Sequence, residues 1–372
     1  MEKVLITGIT GLVGSSFTVE VCDRDPNIEF LAVARSKDNV SAEERVKEAI
    51  REQCEFDGVP EKADGVISRI TVLEGDIADP VHVAMSKGLD GVDAIFHCAA
   101  DVNLGADTEG KTFSVNVSGT KALVEIGKEL DVDAFHYVST AYVAGKTRGR
   151  VMEDSMPAID WHNAYERSKF DSERVVRSSG LPFTIHRPSI IVGRRSDGRI
   201  RKPLAFYFIL EFLAVIKERQ CAKLHIDPSD WLDMPLRLEA KPSKTVFFVP
   251  IDYVAETSAE LFLSPPEGKT YHLTGNSPVS TADIEKAIAN TLKVKNVRIV
   301  ESIPDPTMEE KLLHRFLGEF LPYFGSETVF DVSNSIARFG KESLEWDLDG
   351  DKLVALIGSF YKDNFPELTD SV

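Results

Sequence analysis

Tyr165 and Lys169 stand four residues apart in NAYERSKFDSERVVR. In a helix that step puts both side chains on one face, where an ammonium can stabilise a phenolate. A free tyrosine has a pKa of about 10, so it works as an acid or base once a nearby cation draws that value toward working pH. The chemistry implied is proton transfer to or from a substrate oxygen. A solvated surface pair has the same spacing, so the assignment depends on what else the chain can bind.

The N-terminal turn answers that. TGITGLVG follows the strand-like KVLIT and precedes a helical register over 17–21, with glycines at 8, 11 and 14. A tight turn, close approach of backbone to a pyrophosphate and close packing of helix on strand all call for glycine, with the anion over the helix N-terminus. The alternative is a glycine-rich packing turn, but strand, turn and helix in this order are the context that supports a dinucleotide site. At the end of the second strand, where an acidic residue would hold an unphosphorylated ribose, the chain has Ala34, Arg35, Ser36 and Lys37. Arg35 can pair with a 2′-phosphate and Ser36 can add a donor, which favours NADPH over NADH. A solvated arginine with Asp38 nearby is the other reading. Asp76 and Ile77, ending the third strand, suit the adenine edge. Cys98, Ala99 and Ala100, ending the fourth, leave small side chains beside a cofactor.

These residues need a frame, and the first 190 positions supply one. Short apolar runs at VLIT, 30–34, ISRITVLEG, 93–99, 134–140 and 183–188 alternate with helical patterns over 13–22, 42–54, 81–87, 116–130 and the segment bearing Tyr165. This alternation predicts βαβ units and an α/β fold, a Rossmann-type doubly wound parallel sheet with strands buried on both faces. After Gly193 the rhythm breaks: a basic segment, an apolar stretch over 204–216 and a polar region through 244 come first. Elements then return at 246–250, 252–263, 271–275, 281–292 and 352–361. The expected division is a dinucleotide-binding part over 1–193 and a smaller, mainly substrate-binding region over 194–372, with elements near 246–264 returning to the first.

Composition bounds the partners. With 372 residues, 43% hydrophobic and 28% charged, the chain reads as a globular enzyme of considerable core. A net charge of −17 argues against nucleic acid or an anionic membrane. The four cysteines Cys22, Cys54, Cys98 and Cys221 have no metal-ligand spacing, so no metal site is expected, and reduced thiols in a cytoplasm fit them. Because KVLIT already reads as a strand, no cleavable leader is expected. The apolar stretch at 204–216 is interrupted by Glu211 and falls short of the about 20 residues that cross a bilayer.

Taken together, TGITGLVG, GDI, HCAAD, VNVSGT, YVSTAYV, YERSK and HRPSIIVG resemble the extended short-chain dehydrogenase/reductase family, across roughly residues 3–292. The resemblance implies that Tyr165 exchanges the proton, Lys169 lowers its pKa and holds the nicotinamide ribose, and Thr140, with Ser139 beside it, orients the substrate oxygen. By the same motifs it implies cofactor contacts from Thr7, Gly8, Thr10, Gly11, Leu12, Val13, Gly14, Asn116, Ser139, Tyr165, Lys169, Pro188, Ser189 and Ile191. Within the family, VSTAYVAG, HCAADVNL and VPIDYVAE look most like fatty acyl reductases and thioester reductase domains. The implied activity is NADPH-dependent reduction of an acyl thioester, on coenzyme A or an acyl carrier protein, to an aldehyde or alcohol. A homodimer is a further expectation from the family.

Two local features bear on the substrate. Arg194, Arg195, Arg199, Arg201 and Lys202 form a basic cluster that could receive the phosphates of coenzyme A or an acidic carrier surface. Phe206, Tyr207, Phe208, Leu210 and residues 212–216 could wall an acyl chain. The alternatives are a solvated loop and a core helix. A sugar-nucleotide epimerase or dehydratase, a sterol-type dehydrogenase, or a cofactor-binding sensor without catalysis would share much of the pattern. The Tyr165 and Lys169 pair argues against the sensor, and Arg35 argues against the epimerase.

Overall fold

A computed structural model describes residues 3–78, 88–241, 244–275, 278–346, 348 and 350–369. The helix expected over 81–87 lies outside them. Among the described residues the chain forms two compact units, each discontinuous in sequence. The first comprises Met1–Ser189, Ile251–Leu273 and Phe330–Phe339, and the second comprises Ile190–Pro250, Thr274–Val329 and Gly340–Val372.

Seven parallel strands form the sheet of the first unit, in the order Lys269–Leu273, Phe183–Pro188, Ala134–Val138, Ala94–His97, Lys3–Thr7, Glu29–Ala34 and Ile70–Glu74. Both faces are covered, which is why these strands read as short apolar runs rather than as alternating ones. Phe17, Phe30, Phe96 and Phe262 pack on one face, with the Phe17 and Phe96 rings stacked at 3.5 Å. Leu5, Leu31, Ile95, Tyr137 and Ile185 pack on the other, against Leu123 and Val176. The sheet is therefore doubly wound. Strand Lys3–Thr7 lies between Glu29–Ala34 and Ala94–His97, so the winding reverses there. The crevice beyond the carboxyl ends of strands at such a reversal is where α/β sheets receive ligands.

The helix Ala164–Arg177 carries Tyr165 and Lys169. Asn163 caps it by accepting the Glu166 N–H at 2.9 Å, and Arg174 and Arg177 in its last turn complement the dipole. It is fixed to strand Phe183–Pro188 by a fully buried, two-pronged ion pair, Arg187 Nε to Glu173 Oε1 at 2.8 Å and Nη2 to Oε2 at 2.7 Å. Removing either partner would leave an uncompensated buried charge.

The unit boundaries differ from the expected 193. The Ser189 N–H donates to Leu273 O at the sheet edge, whereas the next residue, Ile190, donates to Phe247 O in the second unit. The strands within Thr245–Pro250 stay with the second unit, and helix Ile251–Phe262 and strand Lys269–Leu273 belong to the first. Residues 330–339 also return to the first unit, held by the buried Glu153 carboxylate. It accepts the Asn334 N–H, the His272 N–H at 2.8 Å and the Ser335 hydroxyl at 2.7 Å. A seven-residue helix, Ser333–Phe339, is too short to show a period in sequence.

In the second unit, strands Leu232–Glu239 and Val294–Val300 pair in parallel, with an irregularity between Lys295 and Val297. The region up to 244 reads as merely polar, yet Leu232, Met234, Leu236 and Leu238 alternate inward while Pro235 points out. Helices Phe206–Leu224, Thr281–Thr291, Met308–Leu317 and Gly350–Asn364 complete this unit's main elements. Among the described residues, no helix is long and apolar enough to cross a membrane.

Candidate active site

The glycine turn is built by sterics. Gly8 sits at φ +78°, and a Cβ there would fall 2.6 Å from Ala99 N. A Cβ on Gly14 would lie 2.2 Å from Gly8 O. The Gly11 N–H closes the turn on Gly8 O at 2.9 Å. Helix Leu12–Arg24 starts immediately, so the first-turn N–H groups of Leu12, Val13 and Gly14 have no intrahelical acceptor and point their dipole end into the turn. A cradle that admits no side chain, at a helix N-terminus and at the winding reversal, suits a pyrophosphate. Thr10 lies within this turn.

Thr7 ties the cradle to the fourth strand. Its hydroxyl accepts the Ala99 N–H at 3.2 Å and meets His97 Nδ1 at 2.7 Å, while His97 Nε2 meets Thr120 Oγ1 at 3.0 Å and Thr120 donates to Asn116 O at 2.6 Å. With both hydroxyl roles assigned this way, the imidazole carries its proton on Nε2. Burial, followed by the charge of Lys169, drives the His97 pKa down to about 3, so the ring stays neutral. Asn116 sits in a widened π-type turn, Ser114–Ser118. Its amide accepts the Asp101 N–H at 2.8 Å and donates to Asp101 O at 3.0 Å and Ser168 Oγ at 2.8 Å. It thereby fastens the loop after Ala100 to the helix bearing Tyr165.

The Lys169 ammonium donates to Val138 O at 2.7 Å and to the Tyr137 hydroxyl at 3.2 Å, and lies 4.6 Å from the centroid of the Tyr137 ring. Desolvation lowers its pKa to about 8, partly offset by Cys98 and Glu173. Tyr165 is half-buried, and burial, then Cys98, then Glu166 push its pKa well above the ordinary value. The Lys169 ammonium is engaged by the end of strand Ala134–Val138, and desolvation of the phenolate is the largest influence on Tyr165. Cys98 is itself pushed up to about 11 by burial. Thr140 caps the turn Ala141–Ala144, accepting the Tyr142 N–H at 3.3 Å and donating to Pro188 O at 3.4 Å. Ser139, next to it in the chain, and Ser189, next to Pro188, are buried, and the Ser139 N–H donates to His186 O at 2.7 Å.

At the ends of the second and third strands, Arg35 Nη1 donates to Asp76 Oδ2 at 3.0 Å, and Ser36 Oγ donates to Glu74 Oε1. Asp76 is thus an ion-pair partner of Arg35, and the Ser36 hydroxyl expected for a phosphate is already donated. Ile77 is buried, with its carbonyl 3.0 Å from where a Cβ on Gly119 would stand. Among the described residues, no cluster of potential ligands suits a metal ion, and all four cysteines are free.

Three groups of expected residues fall in the second unit. Ile191 is the middle residue of strand Ile190–Val192, paired with Phe248–Pro250. Arg194 pairs with Asp197 at 2.5 Å and Arg199 with Asp363 at 2.8 Å, so these two cations of the basic cluster are compensated locally, while Arg195 is exposed and engaged in contacts of its own. Phe206 and Tyr207 are each 1% exposed and belong to the core, with Tyr207 OH accepting the Gly193 N–H at 2.8 Å. Phe206 also lines a small apolar cavity with Ile209, Leu238, Ile288 and Phe324. The opposite face of the same helix, with Phe208, Phe212, Val215 and Ile216, joins Leu312 and Phe316 of helix Met308–Leu317 around a groove of ≈ 540 Å³.

The NAD-binding family described as male sterility protein matches residues 6–258. The chain belongs to this family. It is a branch of the extended short-chain dehydrogenase/reductases, NAD(P)-dependent oxidoreductases of Rossmann fold. Among curated relatives of this family member, the nonribosomal peptide synthetase asaC of Aspergillus flavus is 25% identical over 303 residues, 76% of this chain and 27% of that protein. Fatty acyl-CoA reductase 1 of Xenopus laevis is 26% identical over 227 residues, 51% of this chain and 43% of that protein. The chain thus spans about a quarter to a half of the length of these relatives. The solved terminal R domain from the myxalamid PKS-NRPS biosynthetic pathway superposes with a TM-score of 0.73 at 22% identity, covering 98% of this chain and 92% of that one, a likeness of fold.

His97, Tyr137 and Glu74, which contact the candidate residues Thr7, Lys169 and Ser36, were not singled out by sequence reasoning. His97 and Tyr137 read as core positions inside apolar strands, and only their register places them under Lys169.

Proposed function

We propose that this chain is an NADPH-dependent reductase of acyl thioesters, acting on acyl-coenzyme A or on an acyl group held by a carrier protein and releasing an aldehyde or, after a second reduction, an alcohol. The observation that carries the reading is that one unit holds both the glycine cradle at Gly8, Gly11 and Gly14 and the helix Ala164–Arg177 with Tyr165 and Lys169 one turn apart, a dinucleotide seat together with the proton donor that a reductase needs. Lys169, four residues along the same helix, brings a second ionisable proton close to the same face.

Residues of the glycine turn would hold the pyrophosphate, Arg35 the 2′-phosphate, and Lys169 with Tyr165 the nicotinamide ribose. When bound, the dinucleotide supplies the hydride. The chain's own part is to receive the substrate oxygen: Tyr165 donates its proton as negative charge develops there, and the Thr140 hydroxyl donates a hydrogen bond to the same oxygen by releasing Pro188 O. One hydride on the carbonyl carbon and one proton on the oxygen give a hemithioacetal, whose C–S bond then breaks to free the thiol and the aldehyde.

The test is a panel of long-chain acyl-coenzyme A, acyl carrier protein, nucleotide-sugar and sterol substrates, with NADPH oxidation followed by absorbance and products identified by mass spectrometry. Aldehyde or alcohol from a thioester is expected. Absence of thioester turnover, or turnover of a nucleotide sugar or sterol alone, would refute the reading.

A further inference from the structure

The residues around the 2′ end of the dinucleotide site carry charge of both signs, and one of them has no role so far. Ala34 and Glu74 are register partners at the carboxyl ends of the second and third strands. Ser36, two residues beyond Ala34, donates its hydroxyl to Glu74 Oε1 and accepts the Ala42 N–H at 3.1 Å. Arg45 donates to Arg35 O and pins the backbone between them, while Asp76 holds the Arg35 side chain at 3.0 Å and its other oxygen accepts the Ala78 N–H at 3.0 Å. Arg35 and Ser36, two of the three donors that follow the second strand, are therefore claimed by carboxylates at the end of the third strand and just beyond it, while Lys37 pairs with Asp38.

We propose that Glu74, acting through Ser36, is a specificity-determining residue that opposes the 2′-phosphate, so that the protein accepts NADH as well as NADPH. The proposal rests on the reading of the dinucleotide site given above. The chemistry is one of donors and acceptors. A ribose 2′-hydroxyl can donate to a carboxylate, as acidic residues beside this position do in unphosphorylated-cofactor sites. A 2′-phosphate is doubly charged or nearly so at neutral pH and brings acceptors only. It is drawn by Arg35 but repelled by Glu74, and to receive the Ser36 hydroxyl it must take that donor from a carboxylate. Arg35 and Glu74 thus pull in opposite directions, and the preference of the site is their difference. The glutamate is exposed, so it can change without disturbing the core.

The experiment measures dissociation constants of NADPH and NADH by fluorescence titration of the full chain, for the native protein and for Glu74→Gln, Arg35→Ala and Ser36→Ala. Glu74→Gln should tighten NADPH by about tenfold, the size of one charge contact at an exposed site, and leave NADH within about threefold. Arg35→Ala should weaken NADPH selectively. In a Ser36→Ala background the gain from Glu74→Gln should shrink, because the released hydroxyl is gone. If the native protein binds neither dinucleotide, the reading of the whole site falls. If both bind and Arg35→Ala behaves as expected but Glu74→Gln leaves the NADPH to NADH ratio unchanged, the role of Glu74 alone is overturned. An undiminished Glu74→Gln gain in the Ser36→Ala background overturns the route through Ser36.

Discussion

Lys169→Met should separate the catalytic from the structural account of this lysine. The ammonium is only 2% exposed, and its pKa falls from 10.5 to about 8 because burial disfavours the charged form. That fall corresponds to ~3 kcal/mol against folding while the lysine is charged. At pH 7 it is charged in both states, so the native protein bears the whole penalty. Methionine removes it but strips Val138 O of its 2.7 Å donor, a loss of about 1–3 kcal/mol. The two nearly offset, and the variant is expected to be as stable as the native protein or more so at pH 7, with turnover abolished.

The pH dependence is the sharper observable. Between pH 8 and 10.5 the unfolded lysine binds more protons than the folded one, so native stability rises with pH through that window relative to the variant. The difference should move by roughly 2–3 kcal/mol toward the native protein between pH 7 and 10, whatever the offset from Val138. Urea denaturation of both proteins at the two pH values measures it. Stability curves that stay parallel across the window would refute the assignment of a desolvated, charged Lys169.

Tyr165→Phe removes the proton donor and should lower turnover by about 10²- to 10⁴-fold while leaving the NADPH dissociation constant within about threefold. Gly14→Ala brings a Cβ to 2.2 Å from Gly8 O, where ordinary contact begins at 3.4 Å. The turn must open by about 1 Å, and dinucleotide affinity should fall on the order of 100-fold in the same titration. Burial pushes the Glu153 carboxyl up from 4.5 to about 7, against the opposing pull of its donors from Ser335, His272 and Asn334. The folded state therefore binds more protons between those values, and stability should fall as pH rises from 4.5 to 7, by up to ~3 kcal/mol. Glu153→Gln should flatten that slope in thermal melts, and an unchanged slope would show that another group titrates.

Local chemistry was legible in the chain itself. The glycines at 8, 11 and 14 and the four-residue step from Tyr165 to Lys169 depend on a few consecutive dihedral angles, and strand and helix alternation in the first 190 residues dictates a sheet covered on both faces. What the sequence hid depends on contacts between distant segments. Nothing near Lys169 in the chain shows that Val138 and Tyr137 engage its ammonium, or that burial is the largest influence on the Tyr165 phenol. Phe206 and Tyr207 face inward while Phe208 and Phe212 line a groove, because an apolar helix has no period to tell its two sides apart until a partner covers one of them. Arg35 and Ser36 read as free donors until the third strand, about forty residues on, brings Asp76 and Glu74 against them. The sequence by itself determined which groups could do the chemistry. Only the tertiary structure decided their charge and their partners, since both are set by burial and by neighbours remote in the chain.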